Sequence, residues 1–224
     1  MLYHIRGPAS ALLFGLNTIF WCLPLMVLAV VRAAVPMARK PISRIIVKIA
    51  ERWIAGNRWN IEVLQNIKWD IAGVEGVDVN RTYLVGSNHV SSVDIVALHE
   101  AFNRRIPFLR FFIKSQLFYV PFLGAAWWAL DFPFMKRYSS SYLRRHPERR
   151  RDDLLTTQKS CQRLRGTPIS ILSFLEGTRF TEQKHKITQS PFKNLLPPKS
   201  GGIAFALEAM GDQFDSFIDV TIYY

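Results

Sequence analysis

The chain has 224 residues, 49% of them hydrophobic, and its 29 Lys+Arg against 17 Asp+Glu give a formal net charge of +12. That length supports one sizeable core and a short appendage, and that charge seeks an anionic partner: nucleic acid, lipid headgroups or a phosphorylated substrate. The two cysteines, Cys22 and Cys161, have no paired spacing, which excludes a disulfide framework and a cysteine zinc site and fits a reducing compartment.

No residue from Gly7 to Val31 is charged. This run exceeds the roughly 7–15 apolar residues of a signal peptide and is long enough to cross a bilayer. Only Arg6 precedes it, whereas Arg32, Arg39, Lys40, Arg44 and Lys48 follow. That asymmetry places the downstream chain in the cytoplasm. Pro24 predicts a kink, so a bent, half-inserted hairpin is the alternative to a true span. Next, Ile42, Ile45, Ile46, Ile49, Trp53 and Ile54 recur at helical spacing, with Arg44, Lys48, Glu51 and Arg52 on the other face. Such a helix lies at a membrane interface or packs on the protein's own core, and both readings stay open.

From about residue 67 the pattern changes. "IKWDIAG" alternates like a strand, and "TYLVGSN" reads as a short buried one. "SSVDIVALHEAFNR" reads as a helix, and "PFLRFFIK" and "FPFMKR" as strands. The apolar stretch "LFYVPFLGAAWWALDFPFM" is broken by Pro121, Gly124 and Pro133, which makes it a buried or substrate-lining helix rather than a second span. "PERRRDDLLTTQKSCQRLRG" is a charged helix ended by Gly166; "PISILSFLEG", "GGIAFALEAM" and "SFIDVTIYY" follow as strand, helix and strand. The alternation predicts an α/β fold: a mixed sheet flanked by helices, with an N-terminal membrane helix and an amphipathic helix.

Within this frame "NHVSSVD" places Asp94 five residues after His89. On one continuous helix the two side chains would point apart. They meet if His89 lies in a loop and Asp94 in the first helical turn, and Ser91-x-x-Asp94 is a capping-box-like start. Asp94 is then either a cap alone or a carboxylate that fixes one imidazole nitrogen and leaves the other to accept a proton. There is no G-x-S-x-G elbow, so the base would act on a substrate hydroxyl. A second signal, "SFLEGTRF", ends a strand with Glu176, Gly177, Thr178 and Arg179. Arg179 beside a tight turn can grip a phosphate, or the tetrapeptide is a plain surface turn.

Together, His89-x4-Asp94 and Glu176-Gly177-Thr178-Arg179 resemble the H-x4-D and E-G-T-R motifs of the 1-acylglycerol-3-phosphate acyltransferase family, in the same order. "DFPFMKR" resembles the family's G-x-x-F-I-x-R block, with Asp131 in place of the Gly and Met135 in place of the Ile. The longer pattern is similar to the branch of lysocardiolipin-type acyltransferases and their bacterial relatives, over residues 65 to 224. The family's last block would begin at "IDVTIYY", where the chain stops, and this reads as a truncation.

The patterning gives a transmembrane or membrane-inserted segment at 1–36 and an interfacial helix at 37–66, and the resemblance implies an acyltransferase domain at 67–224. It implies transfer of a fatty acyl group from acyl-CoA or acyl-carrier protein, as co-substrate, to the hydroxyl of lysophosphatidic acid, with no cofactor; the five His, scattered without paired spacing, imply no metal. His89 would be the base and Asp94 its orienting partner. Glu176, Gly177, Thr178 and Arg179 would form the phosphate site, with Arg137 and Lys114 as further candidates. The expected partners are a lysophospholipid and anionic membrane lipids, not nucleic acid, for which no binding motif appears. The expected place is a bacterial inner membrane, with the catalytic domain on the cytoplasmic side. The same chemistry on another lysophospholipid such as monolysocardiolipin, or a silent anion-binding scaffold of this fold, remains the alternative.

Overall fold

The computed structural model describes residues 3–65, 67–135, 140–146, 155, 158, 161, 164 and 166–224. Two long helices come first, α1 (Tyr3–Ala34) and α2 (Arg39–Asn60), joined by a short 3-10 turn at Pro36–Ala38. Helix α1 runs unbroken through Pro24. A short connection makes the two helices antiparallel neighbours, and polar pairs fix their register. Asn17 donates to the Trp53 carbonyl at 3.0 Å and to Asn57 Oδ1 at 2.8 Å, and Trp53 Nε1 donates to Thr18 Oγ1 at 3.1 Å. Gly56 permits this approach, since a Cβ there would lie 2.7 Å from Asn17 Oδ1.

The apolar face of α2 is largely spent on the protein itself. Ile42, Ile46 and Ile49 pack with Cys22 and Leu25 of α1 and with Ile113, Ala126, Leu130 and Phe132 of the following domain. The outer surface of α1 is different: Leu12, Leu16, Phe20, Leu23, Val27 and Val30 are all exposed, and only 17% of its most apolar window is buried. Among the described residues α1 is the helix long and apolar enough to cross a membrane.

Strands β1 (Tyr83–Ser87), β2 (Leu109–Phe111), β5 (Ser170–Phe174) and β6 (Ser216–Val220) form a sheet in the order β2-β5-β1-β6, and β3 (Ile113–Lys114) pairs with β4 (Phe134–Met135). The helices are α3 (Asp94–Phe102), α4 (Leu123–Ala129), α5 (Ser140–Arg145), α6 (Glu182–Thr188) and α7 (Ser200–Met210). The α/β class is as expected. The sheet, expected to be mixed, is parallel at every described pairing, because its strands are joined by crossovers rather than hairpins.

Two expected strands differ. "IKWDIAG" forms no strand: alternation needs a partner, and no described strand pairs with it. "PFLRFFIK" is split at Phe112, which turns into the cluster of Cys161, Leu164 and Ile171 while Ile113 joins the α1–α2 cluster. The interrupted "LFYVPFLGAAWWAL" stretch is a 3-10 turn (Ser115–Tyr119) followed by α4, which packs against α1. The charged helix expected at 147–166 lies mostly outside the described residues. Helix α6 had no counterpart in the sequence reading.

Ion pairs fasten the hairpin to the domain. Arg32 is buried and meets Asp131 through two bonds of 2.7 and 3.2 Å. Asp131 has φ 57°, a backbone state natural to the glycine of the resembled block and tolerated by Asp. Arg58 bonds Glu100 of α3 at 2.5 Å, and Arg104 bonds Glu51 at 3.3 Å.

Beside Glu100, His99 is 5% exposed, packed between Trp53 and Phe108. Burial lowers its pKa from 6.5 to about 4. The unfolded chain therefore takes up a proton below pH 6.5 that the folded chain refuses until about pH 4. Stability contributed by the neutral ring is lost as pH falls through that window, by about 3 kcal/mol in all. Thermal melts of the protein and of His99→Leu between pH 7 and pH 4 are expected to diverge, roughly by this amount, with wild type the more acid-sensitive.

Candidate active site

Strands β1 and β5 lie side by side in register, Ser87 against Phe174, so the loops that follow them emerge together at the C-terminal edge of the sheet. That edge is where open α/β sheets carry their ligands. The loop after β1 holds His89, and the turn after β5 holds Glu176 to Arg179.

The peptide group of His89 links these loops. Its N–H donates to Glu176 Oε1 at 2.9 Å, and its carbonyl accepts from the Phe180 N–H at 2.7 Å. Glu176 is 2% exposed, and its second oxygen accepts from the Leu196 N–H at 2.9 Å. Both Glu176 oxygens are thus spent on main chain; Glu176 braces the site from inside. Gly177 has φ 66°, which lets the turn close. Thr178 Oγ1 accepts from Lys184 Nζ at 2.7 Å, and the same ammonium reaches the Arg179 carbonyl at 2.9 Å. Of this turn Arg179 offers the exposed charge, with Nη1 on Ser92 Oγ at 2.8 Å. The guanidinium therefore stands over the start of α3, beside the His89 loop.

His89 and Asp94 meet. Nδ1 lies 2.7 Å from Asp94 Oδ2, and the ring stacks on Phe174 with centroids 3.8 Å apart and planes 10° from parallel. Oδ2 also accepts from the Val90 and Ser91 N–H groups at 2.7 and 2.9 Å. Asp94 is the first residue of α3, and with one oxygen it both ties down the loop before the helix and holds the imidazole. Asp94 is fully buried. Burial would raise its pKa, but hydrogen bonds from Tyr224, His89, Ser91 and Val90 outweigh it and hold the carboxyl below its ordinary value. An ionised Asp94 bonded to Nδ1–H leaves Nε2 unprotonated, and no described residue bonds that nitrogen. The arrangement can take a proton from a hydroxyl bound over the sheet edge. Neither Ser91 nor Ser92 has a described bond to the imidazole: Ser91 Oγ accepts from Val93 N and Ser92 Oγ from Arg179.

Lys114 is exposed on β3 in the smaller sheet and joins none of these contacts. Arg137 lies outside the described residues. Beyond the two motifs the structure brings in Asn88, bonded to Ile222, Phe174 under the imidazole, Lys184 behind the turn and Tyr224 on Asp94. Lys184 belongs to the basic run "KHK", which reads in sequence as a site for anionic lipid or coenzyme A phosphates; Asn88 and Phe174 stand next to the motifs, and Tyr224 has no local signal.

The sequence model of a family described as Acyltransferase matches residues 64–224. The chain belongs to the acyltransferase family. Its relatives include 1-acyl-sn-glycerol-3-phosphate acyltransferase delta of Mus musculus, 29% identical over 121 residues, and the gamma protein of Homo sapiens, 28% identical over 121 residues. Each alignment takes in 50% of this chain and 29% of the relative. Among solved structures, the 1-acyl-sn-glycerophosphate (LPA) acyltransferase PlsC of Thermotoga maritima shares the fold, with TM-score 0.50 and 18% identity over 92% of this chain and 72% of that one.

Proposed function

We propose that the protein is an O-acyltransferase of the membrane surface. It moves a fatty acyl group from a thioester, on acyl-CoA or acyl-carrier protein, to the free hydroxyl of lysophosphatidic acid, giving phosphatidic acid. The observation that carries this reading is the His89–Asp94 pair at 2.7 Å, tied by the His89 peptide to the turn that presents Arg179. The relatives, 1-acyl-sn-glycerol-3-phosphate acyltransferases by name, support the same acceptor.

His89 Nε2 takes the hydroxyl proton as the oxygen attacks the thioester carbonyl, and Asp94 balances the imidazolium. The tetrahedral intermediate collapses with cleavage of the carbon–sulfur bond, and the imidazolium returns its proton to the leaving thiolate. Arg179 swings from Ser92 to the acceptor phosphate, where a guanidinium binds two oxygens at once. Glu176, Gly177 and Thr178 hold the turn that aims it, with Lys184 as a second cation behind it.

The hairpin supplies the membrane contact. Arg39, Lys40, Arg44, Lys48, Arg52 and Arg58 are exposed on α2, which runs beside α1 from the Arg32–Ser43 bond to the Asn60–Ser10 bond. A crossing α1 would bring several of these cations into hydrocarbon, at high cost. Lying in the interface, α1 buries its apolar face among acyl chains and α2 meets anionic headgroups. These cations suit the anionic lipids at the cytoplasmic face of a bacterial inner membrane.

Purified protein in liposomes, given labelled acyl-CoA and a panel of lysophospholipids including monolysocardiolipin, tests the acceptor. Lysophosphatidic acid is expected to be the preferred acceptor. Arg179→Ala is expected to raise its KM about tenfold or more, with little change for the donor. Equal transfer to a lysolipid without a terminal phosphate, unaffected by Arg179→Ala, would overturn the assignment.

A further inference from the structure

Asp94 has two oxygens, and only one is accounted for by the base. Oδ2 serves His89, Val90 N and Ser91 N. Oδ1 faces away and meets the hydroxyl of Tyr224, at 2.5 Å, from the segment that follows β6. We propose that Tyr224 is a positioning residue of the His89–Asp94 pair: its hydroxyl fixes the carboxylate plane so that Oδ2 stays on the imidazole.

Three observations support this. A carboxylate turns easily about its last torsion, and nothing else described holds Oδ1. Left alone, that oxygen would be a buried charge without a donor, since Asp94 is 0% exposed. The segment carrying Tyr224 is also fastened in place. Asn88, the residue before His89, accepts from the Ile222 N–H at 2.7 Å and donates to the Ile222 carbonyl at 2.9 Å. One side of the base is thus held by the turn after β5 and the other by the segment after β6. The phenol stays protonated and able to donate, because burial and the neighbouring carboxylate push its pKa up.

Tyr224→Phe keeps the ring and removes the hydroxyl that meets Asp94 Oδ1. Tyr223 is 92% exposed and serves as the neighbouring control. The charged groups around His89 are Asp94 on α3, Glu176 at its peptide N–H and Arg179 on Ser92, and none of them changes in these variants. Losing the phenol lets the carboxylate turn, so the bond from His89 Nδ1–H to Asp94 Oδ2 weakens.

The inference rests on the acyl-transfer reading for its kinetic half only. The His89 Nδ1–H proton resonance, which reports its hydrogen bond to Asp94, is followed by NMR in the full chain, assigned with His89→Gln, alongside kcat and KM for both substrates. In Tyr224→Phe the resonance is expected to move upfield as that bond weakens and kcat to fall roughly tenfold with KM unchanged, while Tyr223→Phe matches wild type. A resonance that stays at the wild-type position or moves downfield in Tyr224→Phe overturns the proposal. Absence of transfer in wild type would remove the proposed reaction, and the resonance alone would still decide the role of Tyr224.

Discussion

His89→Ala is expected to reduce acyl transfer about a thousandfold or more, within the range that a positioned general base contributes. The argument turns on what the substitution leaves in place. The bonds from His89 to Glu176 and Phe180 are made by main chain and survive. Asp94 keeps the Val90, Ser91 and Tyr224 donors, so no bare charge is stranded. The fold loses the stack on Phe174, worth about 1 kcal/mol. Initial rates beside a thermal melt separate the two effects: the rate collapses while the melting temperature moves by a few degrees. A rate within tenfold of wild type would mean that another group takes the proton.

Asp94→Asn is expected to cost about a hundred- to thousandfold, through loss of charge rather than through a wrong tautomer. Two peptide N–H groups, of Val90 and Ser91, point at the Oδ2 position and select an oxygen there. The amide oxygen therefore still accepts from His89 Nδ1–H, and the amide nitrogen donates to the Tyr224 oxygen. Nε2 stays free, but the imidazolium formed in the reaction has no counter-charge. The transition state loses that balance, so kcat is expected to fall with the KM of both substrates little changed. A loss that appears in KM and spares kcat would contradict this account of Asp94.

The parts of this site that were legible in sequence are local ones. A short apolar strand, a polar loop and a capped helix bring His89 to Asp94 within six residues, and turn chemistry marks Gly177. The uncharged apolar run also marked α1, helical periodicity α2, and apolar patterning most strands. What stayed hidden depends on partners distant in sequence. Glu176 looked like a ligand residue because it opens the E-G-T-R motif; its partners in the structure are the His89 and Leu196 peptides. The split of "PFLRFFIK" follows from which cluster each Phe meets, which no period reveals. Asp131 looked like a flaw in a motif block, and it is the anchor of Arg32, 99 residues away. Tyr224 reaches Asp94 across 130 residues and leaves no local trace.

The claim that all of this serves is that His89 acts on the acceptor's hydroxyl directly, with no acyl group carried by the protein. Incubating the protein in liposomes with labelled acyl-CoA, without and then with lysophosphatidic acid, tests it in one experiment. The account expects no label on the protein and labelled phosphatidic acid only once the acceptor is present. Label held covalently by the protein before the acceptor is added, or none in lipid afterwards, would contradict it.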